Sequence, residues 1–144
     1  VGGLRAEGAQ SAEAQENGSV SGVTFDAGGL IALDRDDRRV IALLARAAQL
    51  GARVTVPATA LAQAIRRPAQ QVRLARLLRQ PKTAIVVLDG PNATQVGLLL
   101  AASKTADLAD AHVVICARRH AEPIVTSDPA DLRRLDPNVR LIVV

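Results

Sequence analysis

The sequence predicts a doubly wound α/β fold built on a five-stranded parallel sheet. Three observations carry this expectation. Five short apolar runs, at 22–26, 53–56, 84–88, 123–126 and 140–144, alternate with segments of helical periodicity. These runs are close to continuously apolar, as strands covered on both faces must be. The first of them ends in an acid and turns at once through two glycines, Val23-Thr24-Phe25-Asp26-Ala27-Gly28-Gly29. A carboxylate there stands at the carboxyl rim of the sheet, where open α/β folds bind ligands.

The elements follow in order. Residues 1–20 are rich in Gly, Ala, Gln, Glu and Ser without apolar periodicity, and are expected to be a flexible leader to a domain spanning 21–144. After the first strand, Leu30, Ile31 and Leu33 form one apolar helical turn. Asp34 to Arg39 is a mixed-charge break, with Asp36 or Asp37 placed to cap the next helix. Val40, Leu43, Leu44, Ala47 and Leu50 keep helical spacing up to Gly51. Arg53–Val56 is the second strand, and Pro57 suits the first turn of a helix over 58–66. A helix over 70–80 would turn Val72, Leu74, Leu77 and Leu78 inward. The third strand ends at Asp89-Gly90-Pro91, and Asn92 is expected to cap a helix through Val96, Leu98, Leu99 and Leu100. Residues 109–121 form an apolar, central helix. Ser127-Asp128-Pro129 opens a short helix between the last two strands.

Composition narrows the class. The 144 residues are 49% hydrophobic, enough for one domain with an aliphatic core, since Phe25 is the single aromatic and Met and Trp are absent. No apolar run approaches the length of a membrane span. The lone Cys116 lies in an apolar run and reads as a buried thiol. With no export signal, a cytoplasmic location is expected. The net charge is +4, and because the leader carries −2 the body carries +6. That body holds ten Asp and one Glu, Glu122. A basic body points modestly to a polyanionic partner.

Three acids stand out by position. Asp26 ends the first strand, Asp128 follows the fourth, and Asp110 opens the helix leading back to the fourth. In a sheet ordered 3-2-1-4-5 the first and fourth strands are neighbours at the switch point, so Asp26 and Asp128 would meet at one rim, and Asp110 joins them if its helix begins on that side, as a helix leading into the fourth strand should. Clustered carboxylates without Cys or His suit a hard cation such as Mg²⁺ or Mn²⁺. Beneath a basic surface, such a site suits phosphodiester hydrolysis. Each acid also has a structural alternative: Asp107 and Asp110 at capping-box spacing, Asp128 as an N-cap before Pro129, Asp26 as a turn residue. Arg66, Arg67, Arg73, Arg76, Arg79 and Lys82 concentrate positive charge, either as a solvated face or as a phosphate-contacting ridge for RNA. His112 is expected to be a packing or partly exposed residue turned away from Asp110, and Arg118, Arg119 and His120 a helix end.

These segments resemble the PIN-domain ribonucleases, among them the VapC-type toxins of bacterial toxin–antitoxin pairs. The matching pieces are Val23-Thr24-Phe25-Asp26, Asp107-Leu108-Ala109-Asp110-Ala111-His112 with the apolar run through Ala117, and Ile124-Val125-Thr126-Ser127-Asp128. The resemblance spans about 22–135. It implies a PIN-like three-layer fold and a Mg²⁺- or Mn²⁺-dependent endoribonuclease, usually a homodimer restrained by a cognate antitoxin. Asp26, Asp110 and Asp128 fall on the family's acidic positions, and Thr126 and Ser127 on a hydroxyl-bearing one. The chain departs from the family where a Glu is usual after the second strand, because Gln63 stands there. An amide brings no charge, and Asp107 is a candidate replacement. An inactive PIN-like domain that binds a partner or RNA is therefore an alternative. A receiver-like signalling domain, using Asp26, Asp89 and Thr126, is a weaker one, and a haloacid-type phosphatase lacks the second Asp its first strand needs.

Overall fold

A computed structural model describes residues 22–144, and the expected leader lies outside them. The strands are β1 (Val23–Phe25), β2 (Val54–Pro57), β3 (Thr83–Val86), β4 (Ile124–Thr126) and β5 (Leu141–Val143). The sheet order is β3-β2-β1-β4-β5 and every pairing is parallel, in the expected 3-2-1-4-5 arrangement. This order also disposes of the receiver-like reading, whose sheet runs 2-1-3-4-5.

The helices are α1 (Ala27–Asp34), α2 (Arg38–Leu50), α3 (Ala58–Ala64), α4 (Val72–Leu78), α5 (Gly90–Ser103), α6 (Leu108–His120) and α7 (Pro129–Leu135). Right-handed crossovers put α1 to α4 on one face of the sheet and α5 to α7 on the other, because the chain steps outward one way and then the other from β1. α3 touches both groups, packing on α1 and on α6. The core is aliphatic around Phe25, with Leu30, Val40, Val56, Val113, Val114, Ile124 and Leu132 fully enclosed.

Several local expectations are corrected. The helix expected over 58–66 stops at Ala64, where Ile65 turns to extended backbone. The segment expected as one helix over 70–80 is a 3₁₀ turn (Pro68–Gln70) followed by α4. Val72, expected inward, is exposed, because it sits on the outer side of a helix whose other apolar residues already fill the core contact. Asp89, not Asn92, caps α5: its Oδ1 accepts from the Asn92 N–H at 2.9 Å. Asn92 is buried and its Nδ2 donates to the Val87 carbonyl. Asp37 caps α2 as expected, accepting from the Arg39 and Val40 N–H groups, and Gly51 ends that helix in the left-handed region.

The amino edge of the sheet holds a feature the sequence reading did not single out. Glu122 is buried and its Oε1 accepts from the Thr24 and Thr55 hydroxyls at 2.8 and 2.9 Å. Arg53 completes the set with two guanidinium bonds to Oε2 at 3.1 and 3.0 Å. One carboxylate thus ties together β1, β2 and the entry to β4, and all its partners are satisfied. The signal was present: Glu122 is the only Glu in a body of ten Asp.

Candidate active site

The strand-to-helix turn sets Asp26. Its backbone is extended at the N-cap of α1, and Oδ1 accepts from the Gly29 N–H at 2.7 Å. That bond and the Thr126 hydroxyl favour the ionised form, yet burial outweighs them and holds the Asp26 carboxyl above its ordinary value. Both glycines are there for space. A Cβ on Gly28 would run into the Ser127 hydroxyl, and one on Gly29 into the Val125 carbonyl. The α1 turn therefore sits directly on the end of β4, which brings Thr126 and Ser127 beside Asp26.

Asp110 lies in the first turn of α6, whose N-cap is Asp107. Burial pushes its carboxyl from 3.8 up to about 7, helped by the charges of Asp107, Asp26, Asp131 and Asp128. Asp107, Asp26, Asp131 and Asp128, which stand at the starts of α6, α1 and α7, are thus near enough to Asp110 for their charges to be felt. Asp128 occupies the N-cap position of α7 but makes no capping bond with its side chain. Its backbone N–H donates to Thr126 Oγ1 at 2.9 Å. The neighbouring Asp131 raises its pKa.

Asp131 is the acid that sequence reading missed. It stands three residues after Asp128 in the first turn of α7, and it also pairs with Arg134. The i, i+3 spacing on a helix opened by Pro129 was the available clue. Asp107, held as the candidate fourth acid, spends Oδ1 on the Asp110 N–H at 2.9 Å. Gln63 is exposed on α3 and makes no side-chain hydrogen bond among the described residues.

His112 is fully buried, so the packing reading holds and partial exposure does not. Its Nδ1 lies 2.7 Å from Thr59 Oγ1, which joins α6 to α3. Burial holds the imidazole below its ordinary pKa. Cys116 is buried and its thiol is pushed up to about 11, first by burial, which leaves it unreactive as a nucleophile.

The expected arginine ridge divides. Arg73 pairs with Asp36 at 3.3 Å, and Arg73 and Arg76 rim an apolar groove of about 420 Å³ between α2 and α4 that contains none of the clustered acids. Arg79 ends α4 and is exposed. Arg66 and Arg67 belong to a different pocket, beyond the end of α3.

The donor set is all oxygen, and Arg134 pairs with Asp131. By charge and by donor type these residues fit a hard divalent cation. Among the described residues no three His, Cys, Asp or Glu side chains converge into a ready cage, so ligation would be shared with water, as Mg²⁺ favours.

No family model matches the sequence, and no curated protein matches it. Solved structures do. A chain of the FitAcB crystal structure from Neisseria gonorrhoeae superposes with a TM-score of 0.59 at 20% identity, covering 83% of this chain and 96% of that one. A chain of FitAB bound to an IR36 DNA fragment gives a TM-score of 0.59 at 17% identity, covering 84% and 94%. Near-complete coverage, the 3-2-1-4-5 parallel sheet and the helices on both its faces give one conclusion: the chain has the PIN-like α/β fold.

Proposed function

We propose that this chain is a metal-dependent endoribonuclease and the toxin of a toxin–antitoxin pair. The observation that carries the reading is Asp110, which opens α6 and feels the charges of Asp107, Asp26, Asp131 and Asp128. A cluster of like charges costs stability, and catalysis is a reason to keep it. Asp26, Asp110 and Asp128 would hold Mg²⁺ or Mn²⁺, with Asp131 or Asp107 supplying the charge that Gln63 lacks. The ion would polarise the phosphoryl oxygen and lower the pKa of the attacking water.

The chain's own groups set the rest. The Gly29 N–H and Thr126 fix Asp26 in one rotamer. Asp110 has a raised pKa while the site is empty, and a bound cation would draw its carboxyl into the ionised form. Ser127 stands at the mouth of the site, where its hydroxyl can orient a phosphate. Outside the site a basic surface draws in RNA. The partner reading rests on the shared fold with chains crystallised in the FitAcB and FitAB structures. An antitoxin would restrain the chain, which would act as a homodimer in the cytoplasm. Among the described residues no helix is long and apolar enough to cross a membrane.

The test is single-turnover cleavage of structured RNA with Mg²⁺ or Mn²⁺. Cleavage should vanish in chelator and in Asp26→Asn. Undiminished activity in excess chelator would sink the reading. One second reading has its own support, the exposed uncharged Gln63 and the absence of a ready cage. In it the domain binds RNA or a protein partner without cutting. It predicts tight RNA binding with no product at any metal concentration.

A further inference from the structure

The pocket beyond α3 is built by a buried glutamine. Gln71 is 5% exposed. Its Oε1 accepts from the backbone N–H groups of Arg66 and Arg67 at 2.9 and 3.2 Å, and its Nε2 donates to the Ala64 carbonyl at 2.9 Å. These three bonds close the end of α3 and fix the turn that follows. Arg66 and Arg67 are thereby presented side by side rather than left on a loose loop. Opposite them, Arg35 is the residue that ends α1. Together with Ile31, Asp34, Ala64 and Gln70 they line a pocket of about 500 Å³. Three arginines share this lining with one acid, Asp34, and none of the three forms an ion pair among the described residues, the Arg66 guanidinium donating only to the Ile65 carbonyl at 3.4 Å. Unpaired guanidinium groups around a concavity match the geometry of a phosphate, which each can bind through two N–H donors.

The pocket is also aligned with the acids. α1 begins at Asp26 and ends at Arg35. α3 begins beside His112, through Thr59, and ends at Ala64 in the pocket wall. The two helices pack together, so both run from the acidic cluster to the arginines. Eight residues of α1 span about 12 Å, roughly three nucleotides at the ~3.4 Å rise of a stacked strand.

We propose that Arg35, Arg66 and Arg67 form a phosphate subsite that holds the RNA backbone about three nucleotides from the scissile bond. This rests on the ribonuclease reading and names where its substrate is gripped. Gln71 is the positioning residue, acting only through the turn it fixes. RNA is favoured over an acidic protein segment because the pocket lies in line with Asp26 along α1, at nucleotide spacing.

The test measures binding apart from cleavage. A fluorescent single-stranded RNA is titrated in chelator, across a salt series, against wild type, Arg35→Gln/Arg67→Gln, and the charge-matched control Arg46→Gln/Lys104→Gln, whose residues lie outside this pocket. The pocket variant should bind about tenfold more weakly at 0.1 M salt, and its salt slope should be shallower by about 1.4, or ~0.7 for each lost contact. The control should shift affinity by less than about threefold. Circular dichroism confirms that both variants are folded, as exposed arginines should allow. Unchanged affinity and slope in the pocket variant overturn the subsite, while chelator-sensitive cleavage by wild type would leave the ribonuclease reading standing. A wild type that binds polyglutamate through the same arginines but not RNA overturns it in favour of a protein partner. A wild type that neither binds nor cuts RNA overturns both.

Discussion

Replacing Asp110 by Asn should make the metal-free protein more stable at neutral pH, the reverse of the usual effect of altering a half-buried polar side chain. The Asp110 carboxyl is pushed from 3.8 to about 7, by burial first and by four neighbouring carboxylates after it. An acid with a raised folded-state pKa is held more tightly in its protonated form by the native chain than by the unfolded one. Stability therefore falls as pH rises from about 4 to about 7, and the full cost is present above that. At ~1.36 kcal/mol per pH unit the ceiling is about 4 kcal/mol. Asp110 is partly open to solvent, and screening reduces this to about 1–2 kcal/mol. For a domain of this size the gain in Tm is about 4–8 °C. The assay is thermal unfolding of wild type and Asp110→Asn in chelator at pH 8 and pH 5. The variant should lead at pH 8, and its lead should shrink to less than half at pH 5. Mg²⁺ or Mn²⁺ should stabilise wild type more than the variant and narrow the gap. A variant no more stable than wild type at pH 8 in chelator would refute the electrostatic picture of the site.

Three further outcomes follow from the packing. Gly29→Ala drives a methyl group into the Val125 carbonyl at the α1–β4 contact, and should cost about 2–3 kcal/mol in urea unfolding; a neutral result would mean the two elements separate easily. Glu122→Gln leaves Arg53 without its counter-charge beside two buried hydroxyls, and should cost about 2–3 kcal/mol, because Arg53 is partly exposed and recovers some hydration. His112 is buried with a lowered pKa, so below about 6.5 the unfolded chain takes a proton the native one refuses. Stability should drop as pH falls from about 6.5 toward the folded value. His112→Gln should flatten that slope, and an identical slope in both proteins would show that the imidazole is not shielded.

Much of the site was legible because its signals are local. Asp26 could be placed from the Phe25-Asp26-Ala27-Gly28-Gly29 turn alone, since a strand that ends in an acid and re-enters a helix within one residue fixes where the carboxylate points. Five buried runs gave the number of strands, and the 3-2-1-4-5 order was supposed for an open parallel sheet of PIN-like type. Asp131 was missed for a physical reason. Its position is ordinary for a helix's first turn, and only the fold brings it against Asp128 and Asp110. Asn92 was misjudged because Asp89 and Asn92 both suit a helix start, and the choice between them depends on the Val87 carbonyl that Asn92 reaches. The arginines were read as one ridge because they crowd together in sequence, whereas the turn after Ala64 sends Arg66 and Arg67 into a different pocket from Arg73 and Arg76.

The sequence by itself determined the alternation of strands and helices, the aliphatic core and the acids at the carboxyl rim, all properties set by residue type and spacing within a few positions. Only the tertiary structure decided which acids share a field, that Glu122 ties the amino edge together, and that Arg35 joins Arg66 and Arg67. Each of these joins residues far apart in the chain, and burial and charge act through space, where sequence distance carries no information.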